Sequence, residues 1–328
     1  MIKQISKLKQ LFETKQHFVI TSHINPDADA IGSEVALARF LSDKGKSVTV
    51  LNQSETPDNL VFLTEIFPVH QYIAMQHETL ILNADCFIVV DTNSPIRFNV
   101  MKGAVAHSNA FKICIDHHLE HEPFADEYII DTDAPATGEI LYHMMKAIDE
   151  KAISLPIAGA LYAGIMTDTG SFRFPKTDSE THIIVADLLQ RGVNQYEIFQ
   201  QIYENGPLNK LQFLGKALNL IELYHEGKVA AMVLPYSIFA ETKTKESDVD
   251  NLTQFVLGIN GVVVGLVIIE LERGVKISFR SKGDIPVNKL AKQFGGGGHK
   301  NAAGARITET TLQEILPIVL AKTKEFLK

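Results

Sequence analysis

The sequence predicts an α/β protein, with an N-terminal domain on a parallel sheet and a smaller C-terminal domain of mixed α+β order. Three observations carry this. The first half alternates short apolar runs with helical patterns, as a parallel sheet covered on both faces requires. A break at Asn205-Gly206-Pro207 precedes a second half in which strands follow one another more directly. A chain of 328 residues is too long for one average domain and suits two. The expected division is 1–190, a helical linker over 191–224, and 225–328.

In chain order, Ile5, Leu8, Leu11 and Phe12 recur at helical spacing within MIKQISKLKQLFETKQ. That is an amphipathic helix without the apolar core of a signal peptide. Strands are expected at 18–22, 47–52, 86–91 and 111–116, because each is a short run of mostly apolar residues. Helical patterns fall between them near 30–44, 58–65, 76–84 and 99–107, then at 136–150, 156–167, 178–191 and 194–204. After the break a long helix is expected to about Leu223. Strands at 228–234, 261–271 and 274–281 follow, the last two joined by a hairpin turn at Glu272-Arg273-Gly274. A helix over 286–294, a glycine loop, a strand near 302–307 and a helix over 311–328 complete the chain.

Composition narrows the class. With 45% apolar and 21% charged residues the chain reads as a soluble globular protein. The longest apolar run, around Gly261–Ile269, falls short of the ~20 residues that span a bilayer, so a cytoplasmic protein with no membrane partner is expected. Cys86 and Cys114 lie in apolar runs and read as buried thiols, not a disulfide framework. A net charge of −8 argues against long nucleic acid held by a global field, while leaving room for a short anionic substrate. One stretch runs against the average: Arg280, Lys282, Lys289, Lys292, Lys300 and Arg306 face the single acid Asp284.

The candidate chemistry starts at Ser22-His23-Ile24-Asn25-Pro26-Asp27-Ala28-Asp29, a loop leaving the first strand. Asp91 ends a later strand, and Asp116-His117-His118 ends the next. In an open α/β sheet, ligands bind outside the carboxyl ends of the strands. One Asp at a strand end is usually a cap or turn former; three such groups on one sheet edge are harder to explain that way. Hydrolysis of a phosphoester at neutral pH calls for charge neutralisation and an activated water, which two divalent ions ~3.5–4 Å apart supply. The donors on offer are His23, Asp27, Asp29, Asp91, His117 and Asp168, and their four carboxylates match the charge of two dications. Mixed Asp/His ligation favours Mn²⁺, with Mg²⁺, Co²⁺ or Fe²⁺ also compatible. The two cysteines lack the spacing of a zinc site. In the second half, Gly295-Gly296-Gly297-Gly298-His299 brings backbone N–H groups within reach of an anion, and Arg280 can grip a phosphate bidentately.

HINPDADAIGS, VVDTN, DHH and GIMTDTGSF, in that order, resemble the four motifs of the DHH phosphoesterase superfamily. FRSKGD followed by FGGGGHKNAAG resembles its DHH-associated substrate-binding domain, so the likeness covers nearly the whole chain. It implies that His23 and Asp27 bind one metal, that Asp29, His117 and Asp168 bind another, and that Asp91 bridges the two. It further implies that Asp116 orients a histidine and that His118 faces the substrate phosphate as donor or acid. Arg280, Gly297, Gly298 and His299 would take the substrate's terminal phosphate and nucleotide, with hinge closure through 205–224 sequestering the reaction. Ala28 departs from the family's usual glycine, a change tolerated unless that residue needs a positive φ. His17, His70, His77, His107, His121, His143, His182 and His225 match no motif and read as surface or core residues.

Within the superfamily, pyrophosphatases of family II lack the GGGGH loop, RecJ-type exonucleases are longer, and membrane-bound cyclic-dinucleotide phosphodiesterases carry spanning helices. The stand-alone two-domain group remains, similar to nanoRNase/pAp phosphatases. The expectation is a phosphoesterase that hydrolyses short oligoribonucleotides, with 3′-phosphoadenosine 5′-phosphate as a second substrate. The alternative is a soluble cyclic di-AMP/pApA phosphodiesterase, and the different class is a catalytically silent nucleotide-binding protein. A homodimer stays open.

Overall fold

The computed structural model describes residues 2–119, 122–246 and 252–327, and its chain divides into two units, Met1–Asn205 and Gly206–Lys328. The first unit runs α1 (Ile2–Thr14), β1 (His17–Thr21), α2 (Ala28–Ser42), β2 (Ser47–Asn52), β3 (Val69–Gln71), α3 (Ala74–Leu82) and β4 (Cys86–Val90). It continues with α4 (Lys102–His107), β5 (Phe111–Asp116), β6 (Glu127–Ile130), α5 (Thr137–Asp149), α6 (Leu155–Asp168), α7 (Ser179–Gln190) and α8 (Gln195–Phe199). All its strand pairs are parallel, in the order β3-β2-β1-β4-β5-β6.

Period-2 alternation assigns the two faces of this sheet. Phe18, Ile20, Ile88, Val90, Ile113 and Ile115 enter one core with α2, α5 and α6. Val19, Leu51, Phe87 and Val89 enter another with Ile81 and Met101. Burial on both faces is why the central strands read as continuous apolar runs; each fully buried large side chain contributes about 1.5–3 kcal/mol. The chain builds outward from β1 to β3, then returns to lay β4 on the other side of β1. The crevice of such a sheet opens at that reversal, beyond the carboxyl ends of β1 and β4.

Several expected elements differ. Residues 58–65 form a 3₁₀ helix opened by Pro57, and the pattern over 99–107 resolves into a 3₁₀ segment, Pro95–Met101, followed by α4. β3 and β6 were not expected: with three and four residues they are too short to show periodicity, and pairing with a neighbour defines them.

The second unit holds α9 (Leu208–Leu218), β7 (Ile221–Tyr224), β8 (Val229–Leu234), α10 (Ser237–Thr242), α11 (Leu252–Leu257), β9 (Val264–Glu270), β10 (Val275–Ser281), α12 (Val287–Lys292), β11 (Gly297–His299), β12 (Ala302–Ile307) and α13 (Leu312–Glu325). Its sheet order is β11-β12-β10-β9-β8-β7, antiparallel except for β8 against β9. Two neighbouring parallel strands need a crossover, which α10 and α11 supply and the sequence did not announce. The helix expected to reach Leu223 stops at Leu218. Ile221–Tyr224 is instead a strand, hairpinned to β8 through His225, Glu226 and Gly227, all at positive φ. The glycine loop also differs from expectation, because Gly297–His299 is an edge strand.

Candidate metal centre

Asp27 shapes the loop after β1. It is the N-cap of α2, and its Oδ1 accepts from the backbone N–H groups of Asp29 and Ala30, both at 3.1 Å. The cap uses one oxygen and leaves Oδ2 facing His23 Nε2 at 3.8 Å. The other ring nitrogen of His23 lies 2.8 Å from the carbonyl of Ile24, which keeps a proton on Nδ1 and turns Nε2 inward. Ala28 opens α2 and is not among the residues at positive φ, so its methyl group meets no backbone penalty.

Asp29, in the first turn of α2, is fully buried. Its Oδ2 accepts from Thr137 N at 2.6 Å and its Oδ1 from Gly138 N at 2.9 Å, so the first turn of α5 holds both oxygens. The crevice around it is made by glycine: a Cβ on Gly164 would sit 2.6 Å from Asp29 Oδ1. A Cβ on Gly32 would sit 2.5 Å from the carbonyl of Ala160, so α2 and α6 approach backbone to backbone. That approach carries Asp168, at the C-terminal end of α6, to the same place.

Asp91 follows β4 at φ 58°, in the left-handed region that a non-glycine residue occupies at a cost. Its Oδ2 lies 3.4 Å from His23 Nε2 and its Oδ1 lies 3.5 Å from His117 Nε2, while Thr137 Oγ1 donates to Oδ1 at 3.0 Å. His117 follows β5. Its Nδ1 is 3.3 Å from the carbonyl of Ala134, and its buried Nε2 makes no hydrogen bond, standing 3.2 Å from Asp168 Oδ2. Ring nitrogens and carboxylate oxygens that converge this closely, one buried nitrogen among them making no hydrogen bond, are what a cation site presents. Two three-residue sets arise, His23 with Asp27 and Asp91, and Asp29 with His117 and Asp168, each with donor atoms within 4.8 Å.

His118 turns the other way. It is partly exposed where His117 is buried, and its Nδ1 lies 2.7 Å from Asp116 Oδ1. Asp116 is fully buried, and its Oδ1 also accepts from His117 N at 2.9 Å. The pair forms a carboxylate-backed imidazole at the rim of the cluster.

Electrostatics fits a site built for cations. Burial works against charge on His23, yet hydrogen bonding to Asp91 and the charges of Asp91 and Asp27 outweigh it and raise the ring to about 9. His117 is likewise disfavoured by burial but raised to about 11 by Asp168, Asp91 and Asp29. Loss of hydration, with the charges of Asp91 and Asp168, lifts Asp27 to about 6, and the same causes lift Asp29. Asp91 resists its own burial and is held well below the usual carboxylate range by His117 and His23. Without cations, protons on the histidines balance the carboxylates.

Sequence reading missed three contributors. Thr137 and Gly138 sit in APATGE, which reads only as a helix start. Arg97, whose charge opposes protonation of His23 and whose carbonyl accepts from Ile24 N at 2.7 Å, lies in a 3₁₀ segment without periodic signal. Of the histidines outside the motifs, His77 Nδ1 accepts from Ile73 N, His107 and His225 bond backbone carbonyls, and His143 stands by Glu180, while His121 lies outside the described residues.

In the second unit, register decides which residues share a face. Arg280 pairs with Ala302, and Ala302 pairs with His299. In antiparallel ladders opposed residues point to one side, so Arg280, Ala302 and His299 form a row with the smallest side chain in the middle. Ser278, Gly304 and Gly297 make the next row, a floor almost free of side chains. The opposite face, with Ile277, Phe279, Ala303 and Ala305, enters the core. Gly298, at φ 137°, falls on the core side, where a Cβ would sit 2.6 Å from the carbonyl of Ala302; Gly297 has open space. Arg280 Nη1 donates to the carbonyl of Phe279 at 3.1 Å.

The chain matches the model of the DHH family N-terminal domain over residues 17–165 and that of the DHHA1 domain over residues 226–326. It is 30% identical over 306 residues to the bifunctional oligoribonuclease and PAP phosphatase NrnA of Thermus thermophilus, covering 93% of this chain and 89% of that protein. The Bacillus subtilis protein of the same name is 28% identical over 309 residues, covering 94% and 93%. Among solved structures, an exopolyphosphatase-related protein from Bacteroides fragilis superposes with a TM-score of 0.94 at 30% identity, covering 99% of this chain and 97% of that one. The exonuclease RecJ bound to manganese shares the fold at a TM-score of 0.55 and 14% identity, covering 98% and 94%.

Proposed function

The chain belongs to the DHH family, and we propose that it is a metal-dependent phosphoesterase that hydrolyses very short oligoribonucleotides. 3′-Phosphoadenosine 5′-phosphate is the second substrate on this reading, in line with the oligoribonuclease and PAP phosphatase activities named for its relatives. The single observation that carries the proposal is the convergence of two imidazole Nε2 atoms and four carboxylates, the Nε2 of His117 buried without a hydrogen bond.

In this assignment His23 and Asp27 would hold one divalent cation, Asp29, His117 and Asp168 would hold a second, and Asp91 would serve both. Asp29 and Asp91 keep lone pairs beyond their bonds to α5, since each carboxylate offers about four acceptor sites. Bound divalent cations neutralise the phosphoryl oxygens and lower the pKa of water. Mn²⁺ fits the Asp/His donors best. The chain's own residues do the rest. The Ile24 and Ala134 carbonyls fix the histidine tautomers, and Asp116 holds His118 with Nδ1 donating. With both ring nitrogens protonated, His118 can give a hydrogen bond or proton from Nε2 to the departing oxygen. Arg280, His299 and the outward N–H groups of edge strand β11 are assigned to a substrate phosphate.

A substrate panel with Mn²⁺ tests this: mono-, di-, tri- and pentanucleotides, 3′-phosphoadenosine 5′-phosphate and cyclic di-AMP, read by product chromatography. Turnover highest on di- and trinucleotides is the expected outcome. Preference for cyclic di-AMP would replace the reading, and binding without turnover would make the chain a silent nucleotide-binding protein.

A further inference from the structure

Behind the His23 loop lies a buried polar network that the proposed chemistry does not use. Glu34, in the second turn of α2, is fully buried. Its Oε2 accepts from Asn52 Nδ2 at 2.8 Å, and Asn52 is itself buried at the end of β2. Asn52 Oδ1 in turn accepts from the backbone N–H of Ser22 at 3.3 Å and lies 3.5 Å from Thr21 Oγ1. Ser22 immediately precedes His23. Three elements, α2, β2 and the end of β1, are thus tied by two side chains at the point where the chain leaves the sheet. A buried carboxyl kept beside an apolar core costs stability unless it is fully bonded, so its presence calls for a role.

We propose that Glu34 is a positioning residue for the metal centre, acting through Asn52 and Ser22 on the backbone that carries His23. This rests on the reading of that cluster as a metal centre. Glu34 Oε1 and Ser22 Oγ are both buried without a hydrogen-bond partner, although Ser22 lies against the Glu34 carboxyl. A hydrogen bond between them answers both vacancies with either group as donor, and a proton on Oε1 also spares the core an ionised carboxylate. The charged groups facing Glu34 are His23 and Asp91; burial outweighs the help of Asn52, Ser22 and His23 and raises the acid to about 8. Glu34 therefore serves as a neutral acid, donating at Oε1 and accepting at Oε2. Asn52 is thereby fixed with its Nδ2 toward α2 and its Oδ1 toward Ser22, and a flipped amide would lose both bonds. His23 Nε2 then arrives at Asp91 with its direction already set.

The experiment compares wild type, Glu34→Gln and Glu34→Leu by calorimetric titration of Mn²⁺ into metal-free protein, with thermal melts on each. Gln reproduces a neutral acid, one donor and one acceptor, and is expected to keep Mn²⁺ affinity within about threefold. Leu removes both bonds and is expected to weaken affinity about tenfold or more, the scale seen when a partner behind a metal ligand is lost. An infrared band of a protonated carboxyl, present in wild type at neutral pH and absent in Glu34→Gln, is the accompanying signature. Leu with wild-type affinity would overturn the positioning role; Gln as weak as Leu would show that an ionised carboxylate is needed and overturn the neutral acid. If Glu34→Leu does not fold, Asn52→Leu, which breaks the same link to Ser22, takes its place, and wild-type affinity there would overturn the positioning role. Failure of wild type to bind Mn²⁺ at all would refute the metal centre itself, an outcome separate from either result on Glu34.

Discussion

The two candidate sites are built in opposite ways. In the first unit Asp29, Asp91, His23 and His117 are buried side chains held by a second group, Asp29 by the first turn of α5, Asp91 by Thr137 and the histidines by carbonyls, while Asp27 is exposed and Asp168 half-buried. In the second unit the candidate groups stand on an open sheet face, where Gly297 and Gly304 remove bulk and register alone aligns Arg280 with His299. The difference suits the tasks assigned to them. Cations need donors fixed to within a few tenths of an ångström, whereas a flexible phosphate ester can be met by a half-buried Arg280 and an edge strand beside a flat floor.

Substitutions should break this contrast in order of severity. Asp91→Ala removes the carboxylate placed between the two donor sets, and hydrolysis of a dinucleotide with Mn²⁺ should fall about a thousandfold or more. A near-normal single-turnover rate would remove Asp91 from the centre. The pH dependence comes next. His23 keeps its proton to about 9 and His117 to about 11 without metal, so a cation must displace both protons. Affinity for Mn²⁺ should therefore rise with pH between 6 and 8, by up to about tenfold per unit for each proton displaced. Calorimetry in buffers of different ionisation enthalpy counts those protons, and none released would contradict the electrostatics.

Thr137→Val keeps the shape and deletes the hydrogen bond to Asp91, so metal affinity should drop about tenfold and Thr137→Ser should restore it. Equal loss in both variants would point to packing instead. Arg280→Ala should raise KM about tenfold or more with kcat nearly unchanged, as expected of binding uniform between ground and transition state. An unchanged KM takes Arg280 out of the substrate site. Smallest of all, Gly297→Ala adds a methyl to open space and should leave the melting temperature within about 2 °C, whereas Gly298→Ala should lower it by more. If both variants melt alike, the assignment of Gly297 and Gly298 to opposite faces fails.

Much of the first unit was legible because its signals are local. An apolar run needs no partner to show that it is buried, and His23, Asp27, Asp91 and Asp116-His117-His118 stand beside such runs. Short elements were not legible. β3, β6 and β11 have three or four residues, and their state comes from a neighbour's backbone. The glycine run shows this most sharply: by composition it reads as a loop, yet pairing with β12 makes it a strand.

The sequence by itself determined the α/β architecture and the donors within reach of strand ends, because periodicity and residue chemistry are properties of a segment. Only the tertiary structure decided that Thr137 and Gly138 hold Asp91 and Asp29, that α2 and α6 close through Gly32, and that Glu34 stands behind His23. Those contacts join residues from 18 to 128 positions apart. No local pattern encodes them. They exist because the core packs these helices and strands at one separation, and burial then obliges every polar group to find its partner.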